Sequence, residues 1–135
     1  MTDQQRTEIS LLALRLTVFL VMFMWTIAKF AAPEVQAGIF ESYYGIGGLD
    51  VAAMYVIAAL ELVIILAFVA GAFKRYSYGL VLIFHAVSTL SSYEQYLNPA
   101  DGANMLYFAA WPMLGACLAL YLMRHRDNLF ALHKG

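Results

Sequence analysis

Two ionisable side chains stand in the middle of apolar sequence. Glu61 is flanked by Ala58-Ala59-Leu60 and Leu62-Val63-Ile64-Ile65, and His85 lies between Leu82-Ile83-Phe84 and Ala86-Val87. An ionisable group in hydrocarbon is costly, so each calls for a partner or a task. An imidazole exchanges protons near neutral pH, so a carboxyl and an imidazole held side by side can share one. The same pair can also do no more than fix the register of the helices that carry it.

Around them lie further polar groups. His85, Ser88, Thr89 and Ser92 are spaced i, i+3, i+4, i+7, which puts all four on one helical face. Small hydroxyl residues at this spacing pack helices closely and bond across the interface. Read functionally, they form a polar wall running from mid-membrane to the surface. Arg15 is a candidate cation for Glu61, with snorkelling to the interface as the alternative. Lys29, near the far end of the same stretch, is expected to snorkel outward. Tyr107, Phe108 and Trp111 form an aromatic stripe ahead of Pro112. Such a stripe is packing material, or one wall of a flat site for a quinone ring. The proline removes one backbone hydrogen bond and is expected to kink its helix.

The elements that position these groups are membrane spans. Of 135 residues, 63% are hydrophobic and 13% charged, with mean hydropathy +0.72. A water-soluble domain carries about 25% charged residues, so lipid is the expected solvent. A span needs about 20 mostly apolar residues. Four stretches fit, over residues 9–31, 49–73, 76–93 and 104–123. Lipid offers nothing to unpaired backbone groups and the alternation of a barrel strand is missing, which leaves helices. The expected fold is an all-α transmembrane four-helix bundle forming one domain over residues 1–135. The first stretch is longer than the ~7–15 residues of a cleavable signal and is kept as a span.

Charge sets the expected orientation. Arg6, Arg15, Lys74, Arg75, Arg124, Arg126 and Lys134 fall on one side of this topology, and only Lys29 on the other. The positive-inside rule then puts both termini in the cytoplasm of a bacterial-type inner membrane. In the first outer loop, Val35, Ile39, Phe40 and Tyr43 recur at helical spacing. They predict a short amphipathic helix lying at the interface, as an anchor or as a lid over a cavity.

Depth can be read from this topology. Glu61 lies about 12 residues above the inner end of its span, roughly 18 Å, and His85 about 10 residues above it, roughly 15 Å. The tight Lys74-Arg75 turn makes their two helices antiparallel neighbours. The two side chains are therefore expected to face one another. Arg15, about 6 residues or roughly 9 Å in, lies within stretching range of Glu61 if the helices tilt.

Several chemistries find no support. Cys117 is the one cysteine, so neither an intrachain disulfide nor a Cys-x-x-Cys pair is open to the chain. It sits in a Leu/Ala-rich run as a small apolar residue. No metal or haem signature is present, since His125 and His133 lie in the tail. A net charge of −1 gives no reason to expect nucleic acid. The sequence names no catalytic residue.

Arg15-Leu16 through Trp25, then Lys29-Phe30-Ala31-Ala32-Pro33, resembles the first helix of the DoxX family of small four-helix membrane proteins. Glu61-Leu62-Val63, followed by Gly71 and Lys74-Arg75, resembles that family's second helix, closing in a glycine and a basic turn. The likeness covers roughly residues 12–90, and Val18 and Thr26 stand where the family tends to carry glycines. The resemblance places the family's polar positions on Arg15, Lys29 and Glu61, while His85 lies outside its general pattern. It implies a subunit of a membrane redox system that handles a quinone or a small sulfur compound with a partner subunit. Two alternatives stand beside it: a non-catalytic anchor or assembly partner, and a small permease or proton pathway. Apolar outer faces are open to lipid and to further copies of the chain.

Overall fold

The structure is a computed structural model and describes residues 1–133. Helix α1 spans Asp3–Ala31, α2 Pro33–Tyr44, α3 Val51–Val69, α4 Lys74–Ser91, α5 Tyr93–Leu97 and α6 Ala110–Leu122. A 3-10 segment, Asn104–Ala109, runs into α6, and a second covers Arg124–Arg126. No strand occurs among the described residues.

Local chemistry sets the helix ends. Thr2 and Gln5 form a reciprocal capping box, so α1 starts at Asp3, well ahead of residue 9 where the apolar run begins. Pro33 opens α2, where its missing N–H is not needed, and Gly45 closes it in the left-handed region. The Asp50 carboxylate caps α3 by accepting from the Ala53 N–H.

Three helices are long and apolar enough to cross a membrane: Asp3–Ala31, Val51–Val69 and the continuous Asn104–Leu122. The expected span at 49–73 is trimmed to Val51–Val69, while that at 76–93 is shifted two residues towards the N-terminus, to Lys74–Ser91, and its expected end turns into α5. Residues Lys74, Ser77, Tyr78, His85 and Thr89 lower the average hydropathy of α4. All five are buried, whereas Leu80, Ile83, Val87 and Leu90 on its other side are exposed. Pro112 sits in the first turn of α6, so it does not break a continuous α-helix. The residues before it are wound as 3-10 instead.

Helix α1 packs on α3 and α6, and α4 packs on α6 and α3. The buried stripe of α1 is Leu11, Arg15, Val18, Met22, Thr26 and Lys29, one residue per turn along one face. The apolar core combines Leu11, Val18 and Met22 with Ile65, Phe68, Tyr78, Val81, Cys117 and Leu120. It fills the half of the molecule towards the α3–α4 turn. The half towards α2 holds a cavity.

At the turn end the C-terminal tail folds back onto the helices. The Leu132 N–H bonds to the Ala70 carbonyl (2.8 Å) and the His133 N–H to that of Gly71 (3.1 Å). The Phe73 N–H donates to His133 Nδ1 at 2.9 Å. Gly71 has φ +66, and a Cβ there would lie 2.6 Å from the Ala131 Cβ. Only glycine allows the tail this close. Lys134, one of the seven cations used to orient the chain, lies outside the described residues.

Candidate functional site

Glu61 and His85 do not meet. Glu61 turns towards α1, where Lys29 Nζ lies 3.1 Å from its Oε2. The Thr26 hydroxyl is 3.3 Å from the same oxygen, its proton shared with the Met22 carbonyl at 2.9 Å. The expected outward snorkel of Lys29 is therefore replaced by an inward reach, and the chain is 93% withdrawn from solvent (7% exposed). An ammonium near a carboxylate in a dry setting gains more than it would in water.

Nor does Arg15 reach Glu61. Its guanidinium is fully buried and pairs with Asp127 of the tail, Nη1 to Oδ1 at 3.2 Å. It also donates to the Leu129 and Phe130 carbonyls at 2.6 and 3.1 Å and to the Tyr78 hydroxyl at 3.4 Å. The Tyr78 hydroxyl in turn donates a hydrogen bond to Asp127 Oδ2 at 2.6 Å. Lys74 Nζ donates to the Arg124 and Asp127 carbonyls. Arg15 thus binds the tail to the bundle and takes no part in the cavity.

The cavity, of about 680 Å³, lies between α1, α2, α4 and the start of α6. Val21, Trp25 and Lys29 come from α1, Phe40 and Tyr43 from α2, and His85, Ser88 and Ser92 from α4. Tyr107, Ala110 and Met113 complete the wall. Of the polar face read from the sequence, His85, Ser88 and Ser92 line this space. Thr89 is buried beside His85.

His85 is held tightly. A carbonyl can only accept, so the 2.8 Å contact of Nε2 with the Ala110 oxygen makes Nε2 the protonated nitrogen. Thr89 Oγ1 lies 3.2 Å from Nε2 and donates to the His85 carbonyl at 2.7 Å. The ring stacks on Trp25 with centroids 5.9 Å apart and planes 24° from parallel. Its Nδ1 is buried without a hydrogen-bond partner.

A second polar contact crosses the cavity mouth. The Tyr43 and Tyr107 hydroxyls are 3.0 Å apart, tying α2 to the 3-10 segment. That bond, with burial, pushes the Tyr43 phenol up to about 12, so it stays a neutral hydroxyl. Trp111 is not part of the wall; it packs on Tyr96, ring centroids 5.6 Å apart. Tyr96 in turn donates to the Thr89 carbonyl at 2.8 Å.

Phe40 and Tyr43 come from the expected outer-loop helix and Tyr107 from the aromatic stripe, whereas Trp25 and Asp127 are contributors that the sequence did not single out. Trp25 precedes Lys29 by one helical turn, a spacing that puts both on one side. Asp127 is the one acid in the basic Arg124-His125-Arg126-Asp127 run. Among the described residues, no group of three or more His, Cys, Asp or Glu side chains could hold a metal ion. Neither a family model, nor a curated protein, nor a solved structure matches the chain.

Proposed function

We propose that the chain crosses a bacterial-type cytoplasmic membrane four times with both termini inside, and holds a flat ring ligand of the quinone class in the α1–α2–α4–α6 cavity. In this reading it serves as a subunit of a membrane redox system, as the DoxX resemblance implies, and works with a partner subunit. The fourth span is α4: beyond the exposed Arg75 and Tyr76 at its start, its exposed residues Leu80, Ile83, Val87 and Leu90 are apolar, which an average over all its residues hides. The orientation rests on the excess of Lys and Arg at the end carrying the α3–α4 turn and the tail.

The observation that carries the ligand reading is the cavity itself. Binding sites for small molecules are concave, mostly apolar and supplied with a few polar groups. Here Trp25, Phe40, Tyr43 and Tyr107 offer ring faces, while Lys29, His85, Ser88 and Ser92 offer polar contacts. Below His85 the interior closes on Val18, Val81, Cys117 and Leu120, all buried. This favours a dead-end pocket over a through-pathway. The test is to purify the chain in mild detergent, extract it with organic solvent and assay for quinone. Added short-chain benzoquinone should also quench the Trp25 fluorescence. A protein that carries no quinone and whose fluorescence ignores added quinone overturns the proposal.

The anchor reading keeps one specific support. Both membrane cations are neutralised within the chain, Lys29 by Glu61 and Arg15 by Asp127, as locks for a helix bundle would be. It predicts that cavity substitutions leave any cellular phenotype unchanged at native protein levels.

A further inference from the structure

Around the cavity the helices are tied together at every seam but one. Lys29 of α1 lies over the Phe40 ring of α2, and Trp25 of α1 stacks on His85 of α4. The Tyr43–Tyr107 hydroxyl pair fastens α2 to the 3-10 segment, and His85 bonds to the Ala110 carbonyl at the start of α6. Among the described residues, no hydrogen bond, ion pair or ring contact joins α1 to the 3-10 segment or to α6. Nearer the α3–α4 turn these two helices share the buried core of Leu11, Val18, Cys117 and Leu120. Beside the cavity they have no such filling.

Exposure marks the same seam. The exposed members of the cavity wall are Trp25, at 42%, Leu106, at 75%, and Ala109. One comes from α1 and two from the 3-10 segment, and all three are apolar. The other large side chains exposed on these stretches, Leu20, Met24 and Ile27 on α1 and Met105 and Phe108 on the 3-10 segment, are apolar as well. Trp25 lies about 6 residues, or roughly 9 Å, inside the end of α1. A cleft with such rims, at such a depth, opens to lipid. Lipid tails are as apolar as leucine, so an apolar chain crosses these rims without leaving a hydrocarbon setting. The polar wall residues Tyr43, Ser88 and Ser92 belong to α2 and α4, away from the seam. We infer that the cavity takes a ring ligand bearing an apolar chain and dissolved in the bilayer. It enters sideways between α1 and the 3-10 segment, and its chain stays between Trp25 and Leu106–Ala109. The inference rests on the ring-site proposal and adds the ligand's chain and its route.

The experiment uses the full, unaltered chain in lipid nanodiscs and a benzoquinone whose decyl chain carries a photoreactive diazirine midway along it. After illumination, the labelled residues are mapped by peptide mass spectrometry, with and without an excess of plain decyl benzoquinone. The excess separates a filled site from random labelling of the lipid-facing surface. Labelling of Trp25 and of the Leu106–Ala109 stretch should fall about tenfold under an excess of tenfold or more, as one saturable site requires. A decyl alcohol carrying the same diazirine has the chain without the ring, and its labelling should ignore the competitor. Suppressible label on α2, or on any element other than α1 and the 3-10 segment, overturns the sideways route and leaves the ring site standing. If no labelling is suppressed, both the route and the ring site are overturned. Suppression of the alcohol's label to the same degree overturns the ring site as well, since the cleft would then hold chains regardless of the head.

Discussion

Lys29 Nζ lies 3.1 Å from Glu61 Oε2, and this contact joins the far end of α1 to the middle of α3. The ammonium is also 5.8 Å from the centroid of the Phe40 ring, so one side chain links α1, α2 and α3. It lines the cavity as well, where its charge is balanced before any ligand arrives.

Breaking this pair from one side leaves a charge stranded in an apolar setting. Lys29→Met should therefore cost about 3 kcal/mol, while Lys29→Met combined with Glu61→Leu should recover most of the loss. Unfolding in detergent, followed for both singles and the double, gives the coupling. A double variant no more stable than the worse single would show that the pair does not act as a unit.

The tail is held by Asp127 and by the absence of a side chain at Gly71. Asp127→Ala removes the carboxylate facing the buried Arg15 and should release the tail. Trypsin should then cut after Arg124 and Arg126 several-fold faster, as read by mass spectrometry. Gly71→Ala should have a similar effect, since it needs a left-handed backbone, at about 1–2 kcal/mol, and pushes on Ala131. Both act on one docking event, so combining them should add little to the cleavage rate.

Tyr43→Phe should loosen α2 from the 3-10 segment before α6. Amide exchange in α2 should rise, while α3 and α4 stay protected. Because folding raises the Tyr43 phenol from 10.0 to about 12, the stability that this bond contributes is complete below pH 10. It is lost as the pH climbs through about 12. The variant should lack this alkaline component, which a pH series of thermal unfolding curves would reveal.

Both termini are expected in the cytoplasm. A green fluorescent protein fused to the C-terminus should fluoresce, and an alkaline phosphatase fused there should be inactive. In a Cys117→Ala background, a cysteine in place of Gly38 on α2 should react with an impermeant thiol reagent added outside intact cells. The opposite labelling pattern would reverse the topology, with α2 and the cavity facing inward.

The helices and their breaks were legible in the sequence because they depend on local chemistry. Apolar runs of sufficient length, Pro33 at a helix start and Gly45 at its end act within a few residues of themselves, whereas the turn expected at Lys74-Arg75 falls just before it, at residues 70–73, and the two cations open α4. The α2 helix was visible in the spacing of Val35, Ile39, Phe40 and Tyr43. The stripe of His85, Ser88, Thr89 and Ser92 did identify the face of α4 that reaches the cavity.

Side-chain partnership was decided by tertiary structure alone. Depth along a helix follows from counting residues, and that count puts Glu61 and His85 at comparable heights. Rotation about the helix axis does not follow from it. Helix α3 is apolar on every side except at Glu61, so its sequence does not say which neighbour that residue faces. Packing turns it to α1 and Lys29, and leaves His85 to the Ala110 carbonyl and the cavity. Asp127 and Arg15 are brought together only when the tail folds back, a contact between residues more than a hundred positions apart. A periodic pattern sets a face, but the energy of pairing a buried charge sets the partner, and that depends on the whole bundle.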